Sequence, residues 1–302
     1  MNTLERGPVL RCGQVVRGRW EQNSYRVMRL LGQGGTGHVY LVKNREGQLR
    51  AMKISTDLEG ITHEHRMLLS LNSCGQIKEL GVVPQVYELD DFQTGSIVNH
   101  YIVTQYCPGT NVGRRGEFGI RDTAVLGKQV AQFLSSLHQT GRVFGDLKPS
   151  NVIYDFKRNM THIIDYGSVT FKGHCLKQYT PGYDRASWLA GPRTADEHYD
   201  IFALGMLLST LLLGKANKYQ VGLAAVIARV TTKINHPQLR KTVVKALKQE
   251  YLQCHEIAAE LSQVADEISV QDSGRAVGFF VNFMGAASVL AFILGLAYYY
   301  QQ

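Results

Sequence analysis

Five short stretches of this chain carry the residue types that handle phosphate, metal ions and protons. Gly32-x-Gly34-x-x-Gly37 is the first. Glycines in such a tip let backbone N–H groups reach phosphate oxygens with no Cβ in the way. Ala51-Met52-Lys53 sets a lysine 21 residues after Gly32, and Glu64 follows seven residues before Leu71. Far downstream, Phe144-Gly145-Asp146-Leu147-Lys148-Pro149-Ser150-Asn151 gathers an aspartate, a lysine and an asparagine. Ile163-Ile164-Asp165-Tyr166-Gly167 then ends an apolar run on a second aspartate. Each piece alone has a plain reading: a Gly-rich hairpin, surface charges at Lys53 and Glu64, turn formers at Asp146 and Asn151, a cap at Asp165. Their order, spacing and setting argue for one site.

The setting comes from periodicity. Tyr25–Leu31 reads as a strand that breaks into the glycines, and His38-Val39-Tyr40-Leu41-Val42 resumes as a strand. The glycines therefore form a hairpin tip, whereas a dinucleotide-binding fingerprint must open a helix. Leu49–Ile54 is a third strand, so Lys53 sits on it. Glu59–Leu71 has helical spacing through Ile61, Met67, Leu68 and Leu71, which puts Glu64 on a helix. Val82–Leu89 and Ile97–Tyr106 complete a small antiparallel lobe. Beyond Pro108 helices dominate: Arg121–Thr140, Ile201–Leu213, and weaker pieces from Val221 to Glu267. Ile201–Leu213 is apolar nearly all round but too short to cross a bilayer, so it is expected as a buried central helix.

In this order and context the set resembles the signature series of protein kinases: glycine loop, strand lysine, H-R-D-x-x-x-x-N and D-F-G. The resemblance covers residues 25–267. It implies an α+β, bilobal protein-kinase fold, with an antiparallel N-lobe at 25–106, a helical C-lobe at 107–268 and an N-terminal extension at 1–24. It implies ATP and Mg2+ as cofactors and protein substrates as acceptors. On this reading Gly32, Gly34, Gly37 and Val39 enclose the nucleotide, and Lys53 holds the α- and β-phosphates while paired with Glu64. Asp146 accepts the proton of the attacking hydroxyl, Lys148 steadies the γ-phosphate, and Asn151 and Asp165 carry magnesium. Ile102–Cys107 resembles the hinge between lobes, with Thr104 as gatekeeper and Gln105–Cys107 offering backbone to adenine. Lys148-Pro149 is similar to the loop of Ser/Thr kinases. Tyr179–Tyr183 resembles the P+1 segment, whose Thr180 contacts the catalytic Asp and Lys. Asp200 matches the residue that tethers the catalytic loop, although a plain N-cap explains the helix start equally well.

The chain also departs from that pattern. Phe144 and Gly145 replace His-Arg, so no arginine beside Asp146 can read an activation-loop phosphate. Tyr166 replaces Phe, and Asp184-Arg185-Ala186 stands where Ala-Pro-Glu is expected. The whole is similar to short tail-anchored Hanks-type kinases of spore-forming Gram-positive bacteria, which implies signalling or sporulation. Those relatives carry a longer Lys/Arg-rich segment before the anchor. Here the charges of Glu250–Gly274 are all acidic, and functions tied to that segment do not carry over. Two rivals stand beside an active protein kinase: a pseudokinase scaffold, and a kinase of small molecules or lipid head groups.

Charge and termini add partners. Lys plus Arg total 33 against 25 Asp plus Glu, a net charge of +8. Lys215, Lys218, Arg229, Lys233, Arg240, Lys241, Lys245 and Lys248 fall in a window without an acid. Such a run is either a solvated basic face or a site for DNA or anionic lipid. Five scattered cysteines suit free thiols, and His63 and His65 beside Glu64 lack further ligands at zinc spacing. Residues 1–20 lack the apolar core of a signal peptide. From Ala276 onward there is no charged residue. The 24 residues Val277–Tyr300 make about 36 Å of helix, enough for a bilayer. A linker at 269–275 and a transmembrane helix at 276–300 are therefore expected, with the kinase domain cytoplasmic. Ala287, Ala291 and Gly295 form a small-residue stripe that would suit a homodimer.

Overall fold

A computed structural model of the protein describes residues 8–35, 37–215 and 222–270. Six strands form the upper lobe: β1 (Val15–Arg17), β2 (Ser24–Gly34), β3 (Gly37–Lys43), β4 (Leu49–Ser55), β5 (Val86–Thr94) and β6 (Ile97–Gln105). They make one antiparallel sheet in the order β1-β2-β3-β4-β6-β5. Alternation along each strand sorts the faces. Tyr40 and Val42, Met52 and Ile54, and Tyr101 and Val103 point one way and are almost fully buried in a core with Val27 and Phe92. Lys53 lies between Met52 and Ile54 and therefore points the other way, level with Val39 and Ile102 in the ladder.

That second face receives α1 (Leu58–Ser73), whose first turn is capped by Asp57 accepting from the Gly60 N–H at 3.0 Å. Ile61, Glu64, Leu68 and Leu71 form its buried stripe. A short α2 (Gly75–Glu79) follows. The lower lobe is built on α3 (Ile120–Gln139) and α4 (Glu197–Leu213), with α5 (Leu223–Lys233), α6 (Pro237–Leu247) and a helix α7 over 254–270 around them. Gly205 lets α4 and α6 touch, since a Cβ there would lie 2.9 Å from the Leu247 nitrogen. The connecting strands are β7 (Thr110–Asn111), β8 (Arg142–Val143), β9 (Val152–Asp155), β10 (Met160–Ile163) and β11 (Thr170–Phe171). They pair as β10-β9-β7 and β11-β8 beneath the upper sheet.

Several sequence expectations shift. The stretch expected as an extension, 1–24, supplies β1, whose Val16 is buried opposite Tyr25. The strand expected from Val82 begins at Val86, because Pro84 has no N–H to give the ladder. α4 starts at Glu197 with Asp196 as its cap, so capping does not explain Asp200. The basic run is not unopposed: Lys245 meets Glu260 of α7 at 2.8 Å, and Lys248 meets Glu250 at 3.8 Å. Arg229 and Arg240 spend donors on the Leu213 and Ile234 carbonyls. Leu213, Glu250 and Glu260 lie outside the window, and Ile234 lies within it. Residues 269 and 270, expected in the linker, continue α7. Lys218, residues 271–275, the expected membrane helix 276–300 and its small-residue stripe lie outside the described residues. Among the described residues no helix is long and apolar enough to cross a membrane.

Candidate active site

The hairpin of β2 and β3 roofs a cleft whose back wall is β4 and α1. Gly37, at φ +134°, must be glycine, because a Cβ would sit 2.0 Å from the Ile54 carbonyl oxygen. A Cβ on Gly34 would meet nothing within 4 Å, and one on Gly32 would meet only the Arg114 Nη2 at 3.9 Å. Lys53 extends from β4 to Glu64 of α1 at 2.6 Å and to Asp165 at 3.0 Å. Burial pulls the Lys53 ammonium down, but the two carboxylates outweigh it and raise it above the usual lysine range. Burial also pushes Glu64 up while Lys53 pulls against that push. Because the ammonium is raised by the same contact, we read the couple as an ion pair. Asp165 is pushed up by burial and held below the usual carboxylate range by Lys53. It adopts φ +69°, a left-handed conformation that a non-glycine residue keeps only where its surroundings enforce it.

The loop after β8 carries the second half of the site. Lys148 Nζ donates to Asp146 Oδ2 at 2.5 Å and to Thr180 Oγ1 at 3.0 Å, so one ammonium joins the catalytic loop to the P+1 segment. Asp146 Oδ1 is buried and has no hydrogen-bond partner among the described residues. Burial raises the Asp146 carboxyl, with Lys148 opposing it. Asn151 gives its amide N–H to the Asp146 carbonyl at 3.0 Å. That contact fixes the ring of the loop and turns the amide oxygen to other use. Beneath, the fully buried Asp200 accepts from the backbone N–H groups of Phe144 at 2.8 Å and Gly145 at 3.0 Å. His138 Nε2 meets the same carboxylate at 2.9 Å. Sequence reasoning found Asp200 and missed His138, which carried no spacing signal.

Asn151 and Asp165 fit a magnesium site. One or two protein oxygens suffice when substrate phosphates complete the shell, and Asp165 is kept ionised while Asn151 has its donor occupied. No group of three or more His, Cys, Asp or Glu placed to hold a metal ion occurs among the described residues. His63 instead contacts the Val169 carbonyl at 2.9 Å. At the hinge, Thr104 pairs with Ala51 one residue before β6 ends, and Gln105 N–H donates to Gln85 O at 2.7 Å. Cys107 is buried, and burial pushes its thiol up to about 12, so it stays a neutral packing group.

The departures from the family pattern have structural replacements. Gly145 has φ +81°, and a Cβ would lie 2.6 Å from Leu176 Cδ2 and 3.2 Å from the Ser168 carbonyl. Leu176 closes a cluster with Val143, Ala195 and Tyr199 where an arginine side chain would otherwise project. The Asp184-Arg185 segment is anchored twice. Asp184 is fully buried and takes Arg193 at 2.6 Å and the Tyr199 hydroxyl at 3.0 Å. Burial pushes its carboxyl up, yet these donors hold it below the usual range. Arg185 bridges Asp196, Gln249 at 3.1 Å and the Pro192 carbonyl at 2.8 Å. Phe144 and Tyr166 stand edge-on at 5.8 Å, each edge-on to Phe133.

Comparison with known proteins agrees. The family described as the protein kinase domain matches residues 25–275. The chain is 34% identical over 203 residues to serine/threonine-protein kinase YabT of Bacillus subtilis, covering 66% of this chain and 59% of that protein. It is 26% identical over 285 residues to serine/threonine-protein kinase PknG of Mycobacterium leprae, covering 88% of this chain and 36% of that protein. The chain thus spans less than two thirds of either relative. Among solved structures, vaccinia related kinase 3 superposes with a TM-score of 0.68 at 12% identity, over 87% of this chain and 93% of that one. That likeness is one of fold: a sheet lobe on a helical lobe. With the Lys53–Glu64 pair formed and Asp146, Asn151 and Asp165 gathered beneath a glycine hairpin, the chain belongs to the protein kinase family, among its bacterial Hanks-type members.

Proposed function

We propose that the protein is a Ser/Thr protein kinase that transfers the γ-phosphate of ATP to hydroxyl groups of protein substrates. The observation that carries this reading is the Lys148 ammonium, which touches both Asp146 and Thr180. It ties the base to the segment that presents a substrate hydroxyl. Phosphoryl transfer passes through a loose transition state, so the chain's task is to position groups and balance charge. Lys53, held by Glu64, orients the α- and β-phosphates under the glycine hairpin. Asp146 takes the proton of the attacking hydroxyl, and Lys148 faces the moving phosphoryl group. Asn151 and Asp165 would hold magnesium, which neutralises phosphate oxygens when bound. Asp184 and Arg185 fix the P+1 segment in place of the usual clamp, which weighs against a pseudokinase. The Lys148–Thr180 contact weighs against a small-molecule kinase, which has no peptide to present.

The same reading takes 276–300 as a membrane anchor, supported by its length and lack of charge, with the kinase lobes on the cytoplasmic side. A homodimer through its small-residue stripe, and a polyanion such as DNA or anionic lipid on the remaining basic side chains, belong to the same proposal. The experiment is incubation of the full chain with labelled ATP, Mg2+ and either a generic basic protein or a panel of small alcohols, followed by phosphoamino-acid analysis. Label in phosphoserine or phosphothreonine, lost in Lys53→Ala, supports the reading. Label only in small alcohols, or none at all, overturns it.

A further inference from the structure

Roof and floor of the cleft are joined at its mouth by a contact that no part of the proposed chemistry uses. The Arg114 guanidinium donates from Nη2 to the Leu31 carbonyl at 2.6 Å, across 83 residues of chain. Leu31 lies in β2 directly before the glycines. At that point the β2–β3 register slips: Leu30 pairs with Tyr40, and Gly32 pairs with Val39. Leu31 is therefore the extra residue of a β-bulge, without a ladder partner of its own. The bulge offers a main-chain acceptor that the sheet does not consume, and Arg114 takes it.

The other end of the contact is firmly seated. Arg114 closes a one-turn 3-10 helix, Val112–Arg114, whose Val112 is buried in the lower core. Asn111 caps this turn through the Gly113 N–H at 3.1 Å and donates to the Ser150 carbonyl of the catalytic loop at 2.6 Å. A Cβ on Gly113 would lie 3.0 Å from the Ser150 nitrogen, so the turn rests directly on that loop. Arg114 is thus an arm fixed to the floor that grips the roof next to Gly32, whose own Cβ would lie 3.9 Å from Nη2.

Resting on the kinase reading above, we infer that Arg114 is a positioning residue that latches the glycine hairpin over bound nucleotide. A nucleotide can leave the cleft only when roof and floor part, and parting breaks this bond. The latch slows nucleotide exit. It makes no contact with the acceptor protein. Release of product sets the turnover of many enzymes that close over their substrate, so loosening the latch need not slow the catalytic cycle.

The test uses the full chain and its Arg114→Ala and Arg114→Lys variants. A fluorescent ADP analogue reports affinity and dissociation rate, and steady-state assays report kcat and KM for ATP and for acceptor protein. An exposed, charge-assisted bond of this kind predicts an ADP dissociation rate and an ATP KM raised about three- to tenfold in Arg114→Ala. kcat should not fall, the acceptor KM should stay unchanged, and Arg114→Lys should recover part of the loss. Unchanged nucleotide affinity in Arg114→Ala overturns the latch, as does a change confined to the acceptor KM, which would make Arg114 a reader of substrate. If the wild-type chain binds no nucleotide, the kinase reading falls and the latch with it.

Discussion

Leu176→Ala should cripple the kinase by loosening its activation segment, with no phosphorylation able to repair it. Leu176 is 5% exposed and packs with Val143, Ala195 and Tyr199, over the space that Gly145 leaves. Truncating a buried leucine costs about 2–5 kcal/mol, and a four-residue cluster near the surface belongs at the lower end. Around Leu176 the backbone is also tied by the Leu176 N–H to the Arg193 carbonyl at 3.2 Å, by the Gly173 N–H to the Ala195 carbonyl at 2.8 Å and by the Cys175–Thr194 bridge. A shift of about 2 kcal/mol in the balance between ordered and open segment changes the ordered fraction up to about thirtyfold. The assay is kcat/KM for an acceptor protein beside nucleotide affinity by displacement. The first should fall by about tenfold or more and the second should hold, while Thr170→Ala, which removes the hydroxyl placed after Asp165 to accept an activating phosphate, should match wild type. Wild-type activity in Leu176→Ala would refute the reasoning. So would a Thr170→Ala defect restored by a phosphate mimic, because the segment would then depend on a phosphate reader.

Removing Arg193 leaves the buried Asp184 carboxylate with neutral donors such as the Tyr199 hydroxyl and no opposite charge, and Arg193→Ala should cost about 1–3 kcal/mol, discounted because the arginine is partly exposed. The sign with pH follows from the depressed Asp184 carboxyl. Its contribution is complete above the ordinary aspartate value of about 3.9 and is lost as pH falls through the lower folded value. The stability gap between Arg193→Ala and wild type, read from denaturant melts followed by circular dichroism, should therefore be full at neutral pH and narrow as pH falls below about 4. Tyr166→Phe removes a buried hydroxyl that donates to the Ile163 carbonyl at 3.0 Å while keeping the ring contacts. It should lose about 1 kcal/mol in denaturant melts and keep most of its activity.

The residues legible in the sequence are those whose neighbours in the chain are also their neighbours in the site. Asp146, Lys148 and Asn151 fall in one loop, and Lys53 is placed by strand alternation opposite the packed face of Met52 and Ile54. Glu64 was readable because the helical stripe of α1 carries it to the same side as Leu68 and Leu71. What escaped depends on contacts between distant segments. β1 is three residues long, too short for periodicity, and is held by pairing with β2. Glu260 answers Lys245 across a helix pair, so a charge count within one window could not see it. The replacement of the missing arginine by Leu176, and of the usual clamp by Arg185 with Asp196 and Arg193 with Asp184, arises only when the activation segment folds back on α4. Arg114 gave no signal either, since its acceptor is a main-chain carbonyl freed by a bulge.

The central claim is that Asp146 is the base of a protein phosphotransferase, and one comparison tests it most directly. The initial rate of phosphoserine and phosphothreonine formation on an acceptor protein should be measured for the wild-type chain and for Asp146→Asn at saturating Mg-ATP. A positioned base contributes about 10²–10⁴-fold, so the variant should lose at least about a hundredfold in rate while binding ATP as wild type does. Equal rates for the two proteins would contradict the account.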